Sequence, residues 1–509
     1  IGLSPIIMML IKSLFVNGHF SLKNYQEIFN SKREWILLFN SLGLSVSTSL
    51  ITTLIGVPIG VLLAKTDLAL KKIFTFLFIV PLIIPPYIFA IAWFYFLGRS
   101  GILAKILGRE IGNITSRFLF GFSGTLFIMV STLIPVVILL TMTYLRMVNP
   151  KLEEAGKLSA KWSQVLRKIS IPLISPGIFL SSLIVFILAL GEFGVPSSLR
   201  FNVFPVESFT QFSAFYNFEA ATATAIPLSA IALIFLIIER FFLRKKTFQF
   251  RLGQSDEMII IPLKRWNLIL TIFIGFIIFI LVIIPVGVLL VKSFSIRNYY
   301  LAFVHSFDSI FRSLNYAAIG ATLLLIFGFF IGYILQRRAI KFSFAVDSIA
   351  IFLFALPSTV IGIGMITLWN NKITNFVYAS AIIILLGYIA KYTALTERIM
   401  ASAFSQIPVS MEEAGQIAGG GWFSRLFNIL FPLSKKGMMT AWFVGFIFCL
   451  RDLGITIIVH PPAHDTLPVR IFTLMANSPE SEIAALCLIM IFITLIPLIL
   501  LTLIGKYMK

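Results

Sequence analysis

Glu153-Glu154-Ala155-Gly156, followed by Trp162 and Ile171-Pro172-Leu173, has a near copy in Glu412-Glu413-Ala414-Gly415, followed by Trp422 and Phe431-Pro432-Leu433. Each stretch is polar and contains glycine, and each lies between long hydrophobic runs. Six such runs separate the copies, an even number, so both loops are expected on the same side of a membrane.

Composition outside the loops agrees. The 509-residue chain is 59% hydrophobic and 12% charged, where a soluble domain carries about twice that charged share. Continuous apolar runs of about 20 residues, long enough to cross the hydrocarbon layer, recur along its whole length. A β-barrel would show short alternating segments instead. The fold class expected is therefore all-α and polytopic. The net charge of +20 does not indicate nucleic acid, because the basic residues cluster in short loops. Lys71-Lys72, Arg146 to Lys168, Arg240 to Arg265, Arg337-Arg338-Lys341 and Lys435-Lys436 alternate with less basic loops, which puts both Glu-Glu-Ala-Gly stretches on the cytoplasmic side. Arg99, Lys105, Arg109 and Arg117, in a loop assigned to the outside, depart from this pattern. Cys449 and Cys487 both sit in apolar runs, with no metal-ligand spacing, and are expected to be buried.

The repetition extends beyond the loops. Phe39-Asn40-Ser41-Leu42 matches Phe311-Arg312-Ser313-Leu314, and Pro85 matches Pro357 at the same offset. Trp162, Pro172, Gly177, Glu192 and Gly194 match Trp422, Pro432, Gly437, Asp452 and Gly454 at another constant offset. Two homologous six-span domains in parallel orientation follow, residues 1–242 and 266–509, joined by a basic cytoplasmic linker, 243–265. The spans predicted are Ile1–Phe15, Leu42–Leu63, Ile73–Phe96, Phe120–Thr141, Ile174–Gly194 and Ala220–Phe242 in the first half. In the second they are Trp266–Val291, Leu314–Leu335, Phe344–Trp369, Val377–Thr396, Met438–Val459 and Ile483–Lys506, for about 12 in all. The first is short beside its counterpart, and about 20 residues of a longer first span are expected ahead of it. An external insertion around Gly98 to Phe118 contains Ile102 to Leu107, which fits either a short interfacial helix or a solvated loop.

Each polar loop is predicted to form a helix, a bend and a second helix. Pro150 and Pro408 favour a helix start, and the two glutamates that follow fall in the first turn, where acids complement the helix dipole. Gly156, and Gly415 with Gly419-Gly420-Gly421, permit a sharp bend. Pro172 and Pro432 mark the start of the next span. Such a unit, present twice, is too large for a mere connector.

The pattern Glu-Ala-Ala, three residues, Gly, then Ile-x-Leu-Pro resembles the cytoplasmic signature of permease subunits of binding-protein-dependent ABC importers. In that family the loop is the coupling helix that docks on the ATPase subunit. The resemblance implies ATPase-coupling roles for Glu153, Glu154, Ala155, Gly156, Trp162 and Pro172, and for Glu412, Glu413, Ala414, Gly415, Gly419, Trp422 and Pro432. The second copy fits the pattern, whereas the first has Ala160 in place of the glycine and is one residue shorter. Gly156 and Gly415 replace the family's second alanine. No Gly-x-x-x-x-Gly-Lys-Ser/Thr occurs, so the chain is expected to be no enzyme and to bind no cofactor, with ATP used by a separate ATPase, a homodimer serving two loops. A solute-binding protein outside the membrane is the other partner implied. Leu190-Gly191-Glu192-Phe193-Gly194 looks like an element of the ferric-iron branch. So do Asp452-Leu453-Gly454, Pro461-Pro462, Thr466 to Phe472 and Ala484-Ala485-Leu486. Thiamine and aminoethylphosphonate importers are related branches.

Glu192 and Asp452, each twenty residues beyond its proline, are expected near the external ends of their spans. They fit either interface acids that reach water or, with Gly194 and Gly454, candidates for the translocation path; paired carboxylates suit a hard cation. Arg451 neutralises part of that charge. Lys391 is expected to snorkel to the interface. His460 and His464 lie too far from any acid or cysteine cluster to predict a metal site, and an external loop is expected for them. The function predicted is the membrane pathway of an ATP-driven importer, carrying ferric iron or another small solute. A secondary transporter with two six-span halves is the alternative of a different class, and a non-transporting scaffold a further one. Neither explains twin cytoplasmic loops together with an internal duplication.

Overall fold

The computed structural model describes residues 2–16, 19–215, 218–245, 259–337 and 342–507. Most of the predicted linker, residues 246–258, lies outside these, as do Arg338 and Lys341 of the basic loop. The described residues form helices almost throughout; the single small sheet pairs Phe15–Val16 antiparallel with His19–Phe20. Among the described residues, nine helices are long and apolar enough to cross a membrane, or ten if a sharply bent pair counts as one span. The architecture is all-α and polytopic.

Three differences separate this count from the 12 spans predicted. The first apolar helix is short, Leu3–Ser13. Ile382–Ser405 is long enough to span but carries Lys391, Glu397 and Arg398. The third difference is a break at proline. Where Ile73–Phe96 and Phe344–Trp369 were each expected to be one span, the chain forms Lys71–Ile83 then Pro86–Leu97, and Ser343–Ala355 then Ser358–Trp369. Ile84 and Leu356, each just before a proline, are extended (ψ 134° and 142°), because the proline ring disfavours helical geometry in its predecessor. The second pair bends by 108°.

A milder response to proline occurs at three other places. The π-helical turns Leu166–Ser170, Phe279–Ile283 and Leu426–Leu430 each end two residues before a proline, namely Pro172, Pro285 and Pro432. Proline lacks an N–H and its ring crowds the carbonyl four residues back. A locally wider turn absorbs the mismatch and lets the helix continue. Trp162–Leu190 and Trp422–Leu450 are therefore continuous, 29 residues each. Pro172 and Pro432 lie inside helices that begin in the loops.

By packing, the chain divides into two compact units: residues 32–206 with 230–292, and residues 1–31, 207–229 and 293–509. This division differs from the repeat halves, because Leu3–Ser13 packs on Ser358–Trp369 and Ile284–Lys292 packs on Pro86–Leu97. Inside each unit, matched positions of the repeat on a long helix make matched contacts. In one, Ser41 Oγ accepts from Phe204 N at 2.9 Å and Asn40 Nδ2 donates to Asn202 O at 3.0 Å. In the other, Ser313 Oγ accepts from Leu467 N at 2.6 Å and Arg312 Nε donates to Asp465 O at 3.1 Å.

Close helix approach relies on small residues at matched positions. A Cβ at Gly56 or Gly60 would meet Val137 or Thr141 of the Phe122–Arg146 helix at 2.9 and 2.8 Å. At Gly328 or Gly332 it would meet Thr396 or Ala401 at 2.6 and 2.8 Å. Small residues spaced by four are how helices pack tightly where water does not drive them together. The predicted insertion carries the helix Ile102–Leu107 and a second one, Arg109–Leu119, that the sequence had not suggested.

Candidate functional site

Each repeated loop forms the helix, bend and helix expected. In the first, Asn149 Oδ1 accepts from Lys151 N at 3.0 Å and Pro150 takes the first helical position, where its missing N–H costs nothing. The helix runs Pro150–Ser159. In the second, Pro408 precedes Val409–Ile417. Only one glutamate of each pair, Glu153 or Glu412, lies in the first turn.

The adjacent glutamates point to different surroundings. Glu153 is 2% exposed, and its Oε2 lies 2.6 Å from Nζ of Lys65, itself 1% exposed. Ser170 Oγ donates to Glu153 Oε1 at 2.7 Å. Lys65 is the last residue of the Lys32–Lys65 helix, and its carbonyl accepts from Ile261 N at 2.7 Å. The end of the linker is thus bound beside the ion pair. Glu412 is matched: its Oε1 lies 2.6 Å from an Arg337 nitrogen, its Oε2 accepts from Tyr333 Oη at 2.9 Å, and Arg337 also donates to Ile407 O at 2.9 Å. Arg337 ends the Ile296–Arg337 helix and stands at the repeat offset from Lys65. Bonds of this kind, between charged partners, are roughly twice as strong as neutral ones.

Glu154 and Glu413 instead face outward, together with Ala155 and Ala414. Leu158 and Ile417, one turn further along this face, are 91% and 88% exposed. Leu152 and Met411 are exposed as well. Each loop helix thus has an inner edge fastened by a buried charge and an outer face that mixes one carboxylate with bare apolar side chains.

The bends differ. Ala160 turns the first loop in an extended conformation (φ −145°), whereas Gly419 turns the second with φ +82°, a region that costs side-chain-bearing residues about 1–2 kcal/mol. The missing glycine of the first copy is thereby explained. Gly156 and Gly415 serve a different purpose from the bend expected of them. Both are helical, and a Cβ there would meet Ile169 Cδ1 or Ile429 Cδ1 at 2.4 and 2.7 Å. They let the two helices of each loop lie close. Trp162 is stacked by Lys157 at 5.7 Å, and Trp422 packs edge-on against Phe423 at 5.0 Å.

Glu192 and Asp452 do not lie within spans: the helices end at Leu190 and Leu450. Each carboxylate turns back onto the following backbone. Glu192 Oε1 accepts from Gly194 N at 3.0 Å and Val195 N at 3.3 Å. Asp452 Oδ1 accepts from Ile455 N at 3.1 Å and Thr456 N at 3.0 Å, while Oδ2 accepts from Tyr392 Oη at 2.7 Å. Asp452 is 4% exposed, so the expectation of an acid that reaches water does not hold for it. Its burial is compensated by three donors. Gly454 allows close packing, since a Cβ would meet Ser358 Cβ at 2.7 Å; Gly194 is buried at the start of Gly194–Ser198. Arg451 stacks over Phe448 at 5.0 Å. His464 Nδ1 lies 2.7 Å from Tyr316 Oη.

Lys391 corrects another expectation. It is 7% exposed, and its Nζ bonds the carbonyls of Phe354, at 2.8 Å, and Leu356. These are the carbonyls freed by the break ahead of Pro357, and a lysine beside a helix C-terminus satisfies both the orphan acceptors and the dipole. Local sequence shows an apolar run with a cation in it, and snorkelling follows; the nearby broken helix offers that cation better partners.

Lys65 and Arg337 were missed as members of the site, although their constant offset and basic character were visible. Gly56/Gly60 and Gly328/Gly332 carry the same signal.

Residues 56–247 match the family described as binding-protein-dependent transport system inner membrane component. A ferric transport system permease protein of Haemophilus influenzae is 24% identical over 486 residues, covering 90% of this chain and 76% of that protein. A ferric transport system permease protein of Actinobacillus pleuropneumoniae is 24% identical, covering 82% of this chain and 64% of its own length. A 2-aminoethylphosphonate transport system permease protein of Salmonella choleraesuis is 23% identical over 44% of this chain and 89% of its own. With the family match over residues 56–247, relatives of similar sequence that extend along nine tenths of the chain, and at least nine helices among the described residues that are long and apolar enough to cross a bilayer, the chain is similar to the binding-protein-dependent transport permeases and is a multi-pass protein of the inner membrane.

Proposed function

We propose that the chain forms the membrane pathway of an ATP-driven importer for ferric iron, served by a separate ATPase homodimer and by an iron-loaded binding protein. The observation that carries this reading is the pair of matched loop helices, each presenting Glu154, Ala155 and Leu158, or Glu413, Ala414 and Ile417, on an exposed face. Exposed apolar side chains around one charge are the composition of a surface that a partner covers. Two such faces match two copies of one ATPase subunit. ATP binding would draw those subunits and both helices together, and the pathway would open outward to the binding protein; the chain itself would bind no cofactor. Iron is preferred to aminoethylphosphonate because ferric relatives extend along both halves, while the aminoethylphosphonate relative covers 44% of the chain. Glu192 and Asp452, with Gly194 and Gly454, remain the proposed path residues.

The test is the double variant Glu154→Arg, Glu413→Arg. Both side chains are exposed, so accumulation in the membrane should match the parent. Co-purification of the ATPase encoded with the permease should fall roughly tenfold or more, as when a central interface residue is reversed. Parental co-purification would remove the loops from the ATPase interface, and an importer unable to take up iron would end the iron reading alone.

A further inference from the structure

We propose that the buried ion pairs Lys65–Glu153 and Arg337–Glu412 are the joints through which motion of each loop helix is passed to a membrane span. The inference rests on the ATPase-coupling reading above and assigns positioning roles to four residues, of which Lys65 and Arg337 lie far from the loops in sequence.

The geometry at both joints is the same. The cation is the last residue of a long span and the anion sits in the first turn of the loop helix; Lys65 and Glu153 are almost fully withdrawn from water, and Glu412 and Arg337 largely so. A third group fixes the carboxylate, Ser170 from the following span in one joint and Tyr333 from the same span in the other. A charge pair in such surroundings is screened far less than a surface pair, and separating it strands two buried charges. The joint therefore resists sliding and rotation better than apolar packing would. Beyond the cations the path continues: each span packs through paired glycines, Gly56 and Gly60 against Phe122–Arg146 or Gly328 and Gly332 against Ile382–Ser405. A loop helix pushed by its partner carries the span end with it. The outward glutamates, Glu154 and Glu413, belong to the docking face; the inward ones serve only the joint. Duplicate placement with different chemistry, lysine and serine in one unit and arginine and tyrosine in the other, shows that the connection is kept while its components vary.

The test uses the complete complex of permease and ATPase in proteoliposomes, with iron-loaded binding protein. Two quantities are read: ATPase retained by the permease, and ATP hydrolysed per radioactive ferric ion imported. Glu153→Gln with Glu412→Gln should retain the ATPase within about twofold, yet raise the ATP consumed per ion roughly tenfold, the scale of a lost internal coupling. Glu412→Arg alone should abolish uptake, and Arg337→Glu with Glu412→Arg should restore at least about half of it. Lys65→Glu with Glu153→Lys should do the same for Glu153→Lys. If the Gln variant does not accumulate, the exchanged pairs decide. A parental ratio of ATP to iron in the Gln variant, or uptake and ATPase retention falling in proportion, overturns the proposal, as does failure of both exchanged pairs to regain uptake. Loss of the ATPase from the parent complex itself would instead overturn the coupling reading.

Discussion

The two loops solve one problem with different parts. In both, one glutamate of the pair is buried against the basic residue that ends a span, and its neighbour faces outward. In both, a glycine lets the loop helix lie against the isoleucine of the next. The bend is where they diverge: the first loop turns through an extended Ala160, the second through left-handed Gly419 with one residue more. What is held in common is the placement of a charge inside and a face outside. What varies is the chain path between helices, where many backbone routes connect the same end points.

The largest effect should come from breaking the buried pairs. Glu153→Ala leaves Lys65 buried without its carboxylate and should cost about 3–5 kcal/mol in thermal unfolding of the detergent-purified protein. Glu412→Ala should cost less, because Arg337 is more exposed and keeps its bond to Ile407 O. Equal losses would mean that the joints are interchangeable in strength.

An intermediate effect is expected where the second repeat has a device that the first lacks. Lys391→Met removes the donor to the Phe354 and Leu356 carbonyls and should destabilise by about 1–3 kcal/mol. The matched position of the first half holds Thr132, whose hydroxyl bonds its own helix at Ile128 O; Thr132→Val should be close to neutral. A neutral Lys391→Met would show that water caps the break equally well.

The smallest effects concern the bends. Gly419→Ala should cost about 1–2 kcal/mol from backbone strain alone, since no neighbour lies within 4 Å of an added Cβ. Ala160→Gly, at a position any residue adopts, should cost only about 0.4–1 kcal/mol, through greater freedom of the unfolded chain. Similar values at both sites would contradict the difference in φ between the loops.

Much of this was legible in the chain. The apolar runs, the duplicated loops and the helix–bend–helix form of each follow from residue types at short range, where hydrophobic length, proline and glycine act directly. Pro85 and Pro357 were visible as markers of the repeat, but not as breaks, because a proline in a span can be absorbed by a wider turn, as at Pro172, Pro285 and Pro432, or can end the helix, as at Pro357. Which occurs depends on whether neighbouring groups satisfy the freed carbonyls, and Lys391 does so from a helix 35 residues away. Likewise, nothing local distinguishes Glu153 from Glu154 or Glu412 from Glu413. Their partners lie 88 and 75 positions upstream, and the choice is made by the rotational phase of the loop helix against the end of its span. By itself, the sequence determined a duplicated, all-helical membrane protein with two matched polar loops, because span length and repetition are written in composition and order. Tertiary structure alone decided which glutamate is inside, which proline breaks its helix and where Lys391 finds its partners, because each outcome is the satisfaction of a buried charge or carbonyl by a group distant in sequence.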